Sequence, residues 1–341
     1  MTRLVTSAKF MVDSGMLEGE PYVTMARLER AVLQRSRHLS AASAAIVSDT
    51  ETTFGFALPP VQTLPLATRD RAASVTVPER LASDDEVEVL FVGRPEPRKG
   101  ADVLLAAARS LAGSFPEAVY VLAGWGEWDG HRALIEGDES LRGRVELLGE
   151  VADDRLWRLY AGADIVCVPS RYESFGQVLI EAMVFGKPIA ASAVGGMPAV
   201  VEQDGNALLS PPGDTEALAG SLARLISDTR LREAFGRRSR ELYEERYTPA
   251  RIAERASMHY RSIIEDARSR WPDSSAGSGD DAMRSGLAEV LTEVMLIDER
   301  LAAQVAAELL DWTPAKAALR DRWRRLFPRV RSKLGFPHGA S

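Results

Sequence analysis

From residue 86 onward, short apolar runs alternate with longer amphipathic stretches. Six such runs, rich in β-branched residues, lie at 87–92, 118–123, 145–148, 164–169, 188–191 and 207–209. The amphipathic stretches that follow them are 101–112, 128–136, 153–162, 175–184, 197–203 and 214–227. A repeat of strand and helix patterns with Gly, Pro or Asp at the joins predicts a doubly wound parallel sheet. We therefore predict an α/β chain whose Rossmann-like domain covers residues 85–266.

Smaller elements are predicted on either side of this domain. Residues 229–266 have a helical pattern that should brace its edge. The predicted inward positions are Leu231, Phe235, Leu242, Tyr243, Ile252, Tyr260 and Ile264. Ahead of the domain, the pattern predicts a helix over 25–40, which contains His38, and short strands at Ala44–Val47 and Val61–Leu66. These elements are too few to bury a core alone, so we interpret residues 1–84 as a partial domain and a connector.

The sequence after the main domain changes in composition. Residues 267–282 include a Ser- and Gly-rich segment and predict a flexible linker, and residues 283–341 predict a helical, basic tail. Lys316–Lys333 holds eight Lys or Arg residues against one acid, with Trp323 and Phe327 among them. Such a cluster can contact anionic lipid at the inner face of a membrane, but we favour a solvated terminal helix.

Composition excludes several classes of protein. A formal net charge of -7 over 341 residues argues against a chain that binds nucleic acid through its whole surface. The single cysteine, Cys167, lies in an apolar run, which favours a buried structural thiol and a reducing compartment. No stretch approaches the roughly 18–20 apolar residues of a membrane span, and residues 1–25 lack a signal-peptide core. We therefore expect a cytoplasmic protein.

The loop after the first strand of the main domain carries two basic residues. Arg94 and Lys99 lie in Gly93–Gly100, at the carboxyl end of a strand, where open α/β sheets bind ligands. A guanidinium and an ammonium together suit a diphosphate and would stabilise its charge as it departs. A solvated basic turn explains the loop equally well.

A second candidate site joins a strand to a helix at Val168–Met183. Free backbone N–H groups of Phe175, Gly176, Gln177 and Val178 at a helix N-terminus would bind an anion without a metal. Glu173 and Glu181 are eight residues apart, which predicts two carboxylates about two turns apart along one ligand-facing edge. Carboxylates accept hydrogen bonds from sugar hydroxyls, which suggests a ribose and a transferred sugar. The alternative is a capping acid and a solvated helix residue.

Seven motifs in unbroken order over about residues 86–265 resemble the retaining GT-B glycosyltransferases of family 4, also called group 1. They are Gly93-Arg94 with Lys99-Gly100, Val145–Gly149, Pro169-Ser170, the Glu173 and Glu181 pair, Gly186–Pro188, Gly195–Pro198 and Pro211–Asp214. The resemblance implies a GT-B C-terminal domain that binds a nucleotide-diphosphate sugar and transfers a hexose-type sugar with retention, without a metal or another cofactor.

The resemblance also implies a role for each matching residue. Arg94 and Lys99 would clamp the diphosphate beside Gly93, and Glu173 would contact the donor sugar. Glu181 would bind the ribose, and the segment with Glu150 and Val151 would lie beside the base. The amides of Phe175, Gly176, Gln177 and Val178 would hold the phosphates.

Most of a GT-B N-terminal domain has no counterpart in the sequence. We favour a truncated or mis-started product of a larger enzyme, and the alternative is a donor subunit with a separate acceptor-binding partner. Uncovered apolar surface would then favour dimerisation. A catalytically silent nucleotide-sugar-binding module is the second hypothesis. A dinucleotide-dependent oxidoreductase is disfavoured because Gly124-Trp-Gly126 lacks the third glycine of that motif.

Overall fold

The computed structural model describes residues 2–4 and 20–270, which form two parallel sheets with helices around them. The first sheet has the order β1-β2-β3, with β1 at Thr2–Leu4, β2 at Leu39–Ala41 and β3 at Val61–Thr63. Its helices are α1 (Glu20–Arg35) and α2 (Ala44–Phe54). The polar connector from residue 64 to residue 86 leads from this sheet to the second one.

The second sheet alternates strands and helices as predicted. Its strands are β4 (Val87–Val92), β5 (Ala118–Ala123), β6 (Val145–Gly149), β7 (Ile165–Val168), β8 (Ile189–Ser192) and β9 (Ala207–Ser210). Its helices are α3 (Ala101–Leu111), α4 (Asp129–Gly137), α5 (Asp153–Gly162), α6 (Gln177–Val184), α7 (Met197–Val200) and α8 (Thr215–Ser227). After these come α9 (Thr229–Leu242), a π-helical turn at Tyr243–Tyr247 and α10 (Pro249–Arg270).

The order of the second sheet is β6-β5-β4-β7-β8-β9, and every pair is parallel. After β4, the chain adds β5 and β6 on one side of β4 and then β7, β8 and β9 on the other side. The direction in which strands are added therefore reverses between β4 and β7. A doubly wound sheet binds ligands at this switch point, because the loops after the two central strands diverge there and leave a crevice. The prediction of a Rossmann-like α/β sheet is confirmed.

Apolar side chains cover both faces of the second sheet. In β4, Val89 and Phe91 pack with α3 and α8 on one face, while Leu90 packs with α6 and the π-helical turn on the other. Strands buried on both faces are typical of parallel sheets. Cys167 is buried in β7, which confirms a structural thiol, and burial raises the pKa of that thiol well above its usual range.

The predictions for residues 25–66 need two corrections. Ala44–Val47 is not a strand, since it begins α2, and the strand beside it is Leu39–Ala41. The Ser43 hydroxyl accepts from the backbone N–H of Ile46, and Ile46, Thr50 and Phe54 are buried four residues apart, as a helix requires. The predicted helix over 25–40 is Glu20–Arg35, so His38 lies in the following turn.

The chain after β9 folds back against the connector and the first sheet. Tyr243 donates its hydroxyl to Thr68 O at 2.9 Å, and His38 Nε2 lies 2.9 Å from a carboxylate oxygen of Asp266 in α10. Of the predicted inward positions, Tyr260 and Ile264 are exposed, at 47% and 49%, so they do not pack inward as predicted.

Further predictions concern the linker, the basic tail and membrane-spanning helices. The linker at 267–282 beyond residue 270 and the tail at 283–341, including Lys316–Lys333, lie outside the described residues. Within the described ranges, no helix is both long enough and apolar enough to cross a membrane.

Candidate functional site

The loops that follow β4 and β7 meet at the switch point of the sheet. The β4 loop ends in a 3-10 turn at Pro97–Lys99 and then in Gly100, whose φ is +75°. A Cβ at Gly100 would lie 2.0 Å from Pro169 O, so only glycine lets the two loops approach this closely. The two segments predicted to carry the chemistry are therefore in direct contact.

Arg171 joins the two loops a second time. Its backbone N–H donates to Arg98 O at 2.8 Å, and its guanidinium binds both carboxylate oxygens of Asp102 at 2.7 and 2.6 Å. This bidentate pair lowers the pKa of Asp102 and raises that of Arg171. Since the pair is exposed, we assign it no more than about 1 kcal/mol of stability.

Lys99 and Glu173 form the ion pair at the centre of the site. Lys99 Nζ lies 2.5 Å from Glu173 Oε2, and the two side chains are only 18% and 13% exposed. The backbone of Glu173 contacts Gly195 and Gly196, the glycine pair that follows β8. Gly196 N–H donates to Glu173 O at 3.1 Å, and a Cβ at Gly195 would lie 1.8 Å from the same oxygen.

Arg94 stands apart from this pair. Its side chain is 49% exposed, and Nη1 lies 2.9 Å from Glu96 Oε1 within the same loop. Arg98 binds the other oxygen of Glu96 at 3.2 Å. Both basic residues predicted to clamp a diphosphate thus lie in the loop after β4, each paired with a carboxylate of the protein itself.

The N-terminus of α6 follows directly after Glu173. Gly176 has a φ of +92°, and Phe175 beside it is buried. Leu179 N–H donates to Gly176 O at 3.0 Å, whereas the N–H groups of residues 175–178 have no acceptor in the described part of the chain. These free amides at a helix N-terminus suit an anion. The side chain of Gln177 is hydrogen-bonded to Thr68 Oγ1.

Glu181 lies in the second turn of α6 and is partly buried. The prediction that Glu173 and Glu181 lie about two helical turns apart needs a correction, because only Gln177–Glu181 of this interval is helical and Glu173 lies in the loop before it. The Tyr160 hydroxyl donates to Glu181 Oε2 at 2.8 Å. Burial raises the pKa of Glu181, while Tyr160 and the charge of Lys99 act against that rise.

Glu150 and Val151 follow β6, which is separated from β7 by two strands, β5 and β4. Gly149 has a φ of +65° and accepts a hydrogen bond from Gly124 N–H at 2.8 Å. Val151 packs partly against the core, and Glu150 is exposed. The structure therefore places this segment at the carboxyl edge of the same sheet, without a side-chain contact to Lys99 or Glu173.

Three contributors were missed in the sequence. Ser43 Oγ donates to Ser174 O at 2.7 Å, which brings the start of α2 onto the loop of Glu173. Tyr172 OH lies 3.4 Å from Asp49 Oδ2, and burial raises the pKa of Asp49. Tyr160 is the third. A serine before a helical pattern could have identified Ser43 as a helix cap, but no local signal pairs Tyr160 with Glu181.

Within the described ranges, no set of three or more His, Cys, Asp or Glu side chains is arranged to hold a metal ion. Lys99 and Arg94 carry positive charge in the loop after β4, and the N-terminus of α6 adds a partial positive charge after β7.

This chain resembles known proteins both in sequence and in fold. The sequence profile described as glycosyl transferases group 1 matches residues 76–242. An uncharacterized glycosyltransferase of Methanocaldococcus jannaschii is 32% identical over 182 residues, which cover 53% of this chain and 46% of that protein. A D-inositol 3-phosphate glycosyltransferase of Mycobacteroides abscessus is 41% identical over 144 residues, or 42% of this chain and 32% of that protein. The matches thus span half or less of each relative.

The fold has solved counterparts. Sucrose-phosphate synthase from Thermosynechococcus elongatus superposes with a TM-score of 0.63 and 28% identity, over 78% of this chain and 67% of that chain. The superposition covers a larger share of this chain than the second sheet and its helices contain. It therefore extends beyond that sheet. Residues 76–242 of this chain are therefore similar to the glycosyl transferases group 1 family, and the fold is that of the GT-B glycosyltransferases.

Proposed function

We propose that the chain binds a nucleotide-diphosphate sugar between the β4 and β7 loops and transfers a hexose-type sugar to an acceptor with retention of configuration. The observation that carries the proposal is the pairing of Lys99 with Glu173 at 2.5 Å beside the free amides of α6. This pairing supports the proposal because an ammonium, a carboxylate and free backbone amides then lie together at the carboxyl edge of the sheet.

Each group has a separate task in this proposal. Lys99, Arg94 and the α6 amides stabilise the diphosphate as its bond to the anomeric carbon breaks, which replaces the charge that a metal would supply. Glu173 accepts hydroxyls of the transferred sugar and orients its anomeric carbon. Glu181 accepts ribose hydroxyls, and Glu150 and Val151 border the base.

The first donor to test is UDP-glucose. HepE from Anabaena, which shares the fold with a TM-score of 0.58, was crystallised with that nucleotide sugar. The choice among uracil, guanine and adenine donors is left to experiment, as is the acceptor. For the acceptor, a polyol or sugar hydroxyl follows from the names of the matched relatives, such as the D-inositol 3-phosphate glycosyltransferase.

Calorimetric titration of the folded chain with UDP-, GDP- and ADP-glucose and with GDP-mannose tests donor binding. We expect one donor to bind, without a requirement for added divalent metal and with no loss in EDTA. A folded chain that binds none of them would refute the proposal. If an acceptor is then found, NMR of the product's anomeric proton distinguishes retention from inversion.

A further inference from the structure

The hydroxyl of Tyr160, the only polar group of its side chain, contacts Glu181 of the candidate site. The residue is fully buried in α5, with 0% exposure, and its ring is stacked 5.9 Å from Phe185 at an interplanar angle of 5°. Trp157 continues the stack at 6.0 Å on the same helix. These rings fix the direction of the Tyr160 hydroxyl, which reaches Glu181 Oε2 at 2.8 Å.

A packing role alone does not account for this hydroxyl. Phenylalanine would fill nearly the same volume and would not require a buried acceptor. Tyr120 in β5 shows the difference, since it is 2% exposed and its hydroxyl has no partner among the described residues. Tyr160 instead donates to a carboxylate at the ligand edge of the sheet.

The hydrogen bond leaves half of the carboxylate free. Tyr160 holds Oε2 of Glu181, and Oε1 has no donor in the described part of the chain. A carboxylate offers about four acceptor positions, so a fixed Glu181 still has places for two hydroxyls from a ligand. Without the tyrosine hydroxyl, the side chain could rotate, and its acceptors would lose their direction.

We propose that Tyr160 is a positioning residue that aims the Glu181 carboxylate at the vicinal hydroxyls of a ribose, so that the site distinguishes ribonucleotides from deoxyribonucleotides. The inference rests on the proposed function, because it deepens the ribose subsite of that donor site. Tyr160 touches Glu181 and not the ligand, and its effect is expected in selectivity rather than in the chemical step.

The groups that face Glu181 predict the effect of pH. Burial raises its pKa, Asp153 raises it further, and Tyr160 and Lys99 lower it. A protonated Glu181 loses acceptor capacity, so ribonucleotide binding weakens as pH falls. Removing the Tyr160 hydroxyl takes away one lowering contribution, and the loss of binding then begins at a higher pH.

The test compares UDP with 2'-deoxy-UDP, and GDP and ADP with their deoxy forms, by calorimetry on the full chain. We expect the wild type to bind the ribonucleotide more tightly than the deoxyribonucleotide, and Tyr160→Phe to reduce this affinity ratio about fivefold. In the variant, the weakening of ribonucleotide binding on acidification should begin at a higher pH. Tyr120→Phe is the matched control and should leave both readouts unchanged.

A second variant protects the test against a folding defect. In a Glu181→Gln background, adding Tyr160→Phe should change the ribose preference no further, because the carboxylate that it aims is gone. Equal weakening of ribonucleotide and deoxyribonucleotide by Tyr160→Phe, or an unchanged ratio, would overturn the inference and leave the donor site intact. A folded wild type that binds none of the diphosphates would overturn the proposed function and this inference together.

Discussion

The ammonium of Lys99 lies 2.5 Å from the carboxylate of Glu173, and both side chains are largely shielded from water. A diphosphate that enters the crevice must therefore compete with Glu173 for the charge of Lys99. In the proposed complex, the ammonium turns to the phosphates, and the released carboxylate is free to accept hydroxyls of the sugar. The proposed function therefore predicts that donor binding and sugar recognition are linked through the pair of Lys99 and Glu173.

Glu173→Gln tests this competition. Because the variant removes a negative charge beside the phosphate site, we expect UDP to bind about three- to tenfold more tightly. Transfer or donor hydrolysis should fall at least about a hundredfold, since the sugar loses its charged acceptor. Calorimetry with UDP and a turnover assay give the two values. Weaker UDP binding together with full turnover would contradict the assignment of Glu173.

Arg94 and Arg98 offer a matched pair within one loop, because both bind Glu96. We expect Arg94→Met to weaken UDP binding about tenfold, since a charge-assisted hydrogen bond to phosphate is lost. Arg98→Met removes the same charge but should weaken UDP binding by less than about threefold, which is under half of the Arg94→Met effect on a logarithmic scale. Equal losses would mean that the loop acts only through its net charge.

Gly195→Ala should displace the backbone of Glu173. A Cβ there would lie 1.8 Å from Glu173 O, and the φ of +55° is itself unfavourable for alanine. We expect a loss of at least about 2 kcal/mol in the free energy of unfolding and reduced donor binding. Gly130→Ala in α4 is the control, because it meets no atom within 4 Å. It should be neutral or stabilise by up to about 1 kcal/mol.

Glu181→Gln should stabilise the free protein at neutral pH. The pKa of Glu181 is raised on folding, so ionisation costs stability as pH rises above the usual glutamate value toward the folded pKa. The glutamine variant does not carry this cost. Its melting temperature should exceed that of the wild type at pH 7, and the difference should vanish below the unfolded pKa. A variant that is less stable than the wild type at pH 7 would contradict this.

The second sheet could be predicted from the sequence because each strand has a local signature. Apolar runs such as Val87–Val92 are bounded by loop residues, and the observed bounds agree closely. Lys99 and Glu173 were expected at one edge of the sheet, because each follows a strand there, and the structure brings them into contact. Ala44–Val47 was wrong because four apolar residues fit a strand or a helix, and only the Ser43 cap decides between them.

Contacts between distant segments could not be predicted. Nothing near Tyr160 indicates that its hydroxyl meets Glu181 across two helices. The same holds for Ser43 and Ser174, which are 131 residues apart in the chain. The pairing of Lys99 with Glu173 also requires β4 and β7 to be neighbours in the sheet. The sequence pattern predicts a doubly wound sheet but does not say which strands are neighbours.

The central claim is that Lys99 binds the diphosphate of a nucleotide sugar. Calorimetry of wild type and Lys99→Met with UDP, GDP and ADP, and with the matching nucleosides, tests it most directly. Arg132→Met, an exposed change in α4, is the control for lost charge. We predict a loss of about 10- to 100-fold in diphosphate affinity for Lys99→Met, with nucleoside binding unchanged. A folded Lys99→Met variant that binds the diphosphate as tightly as the wild type would contradict the claim.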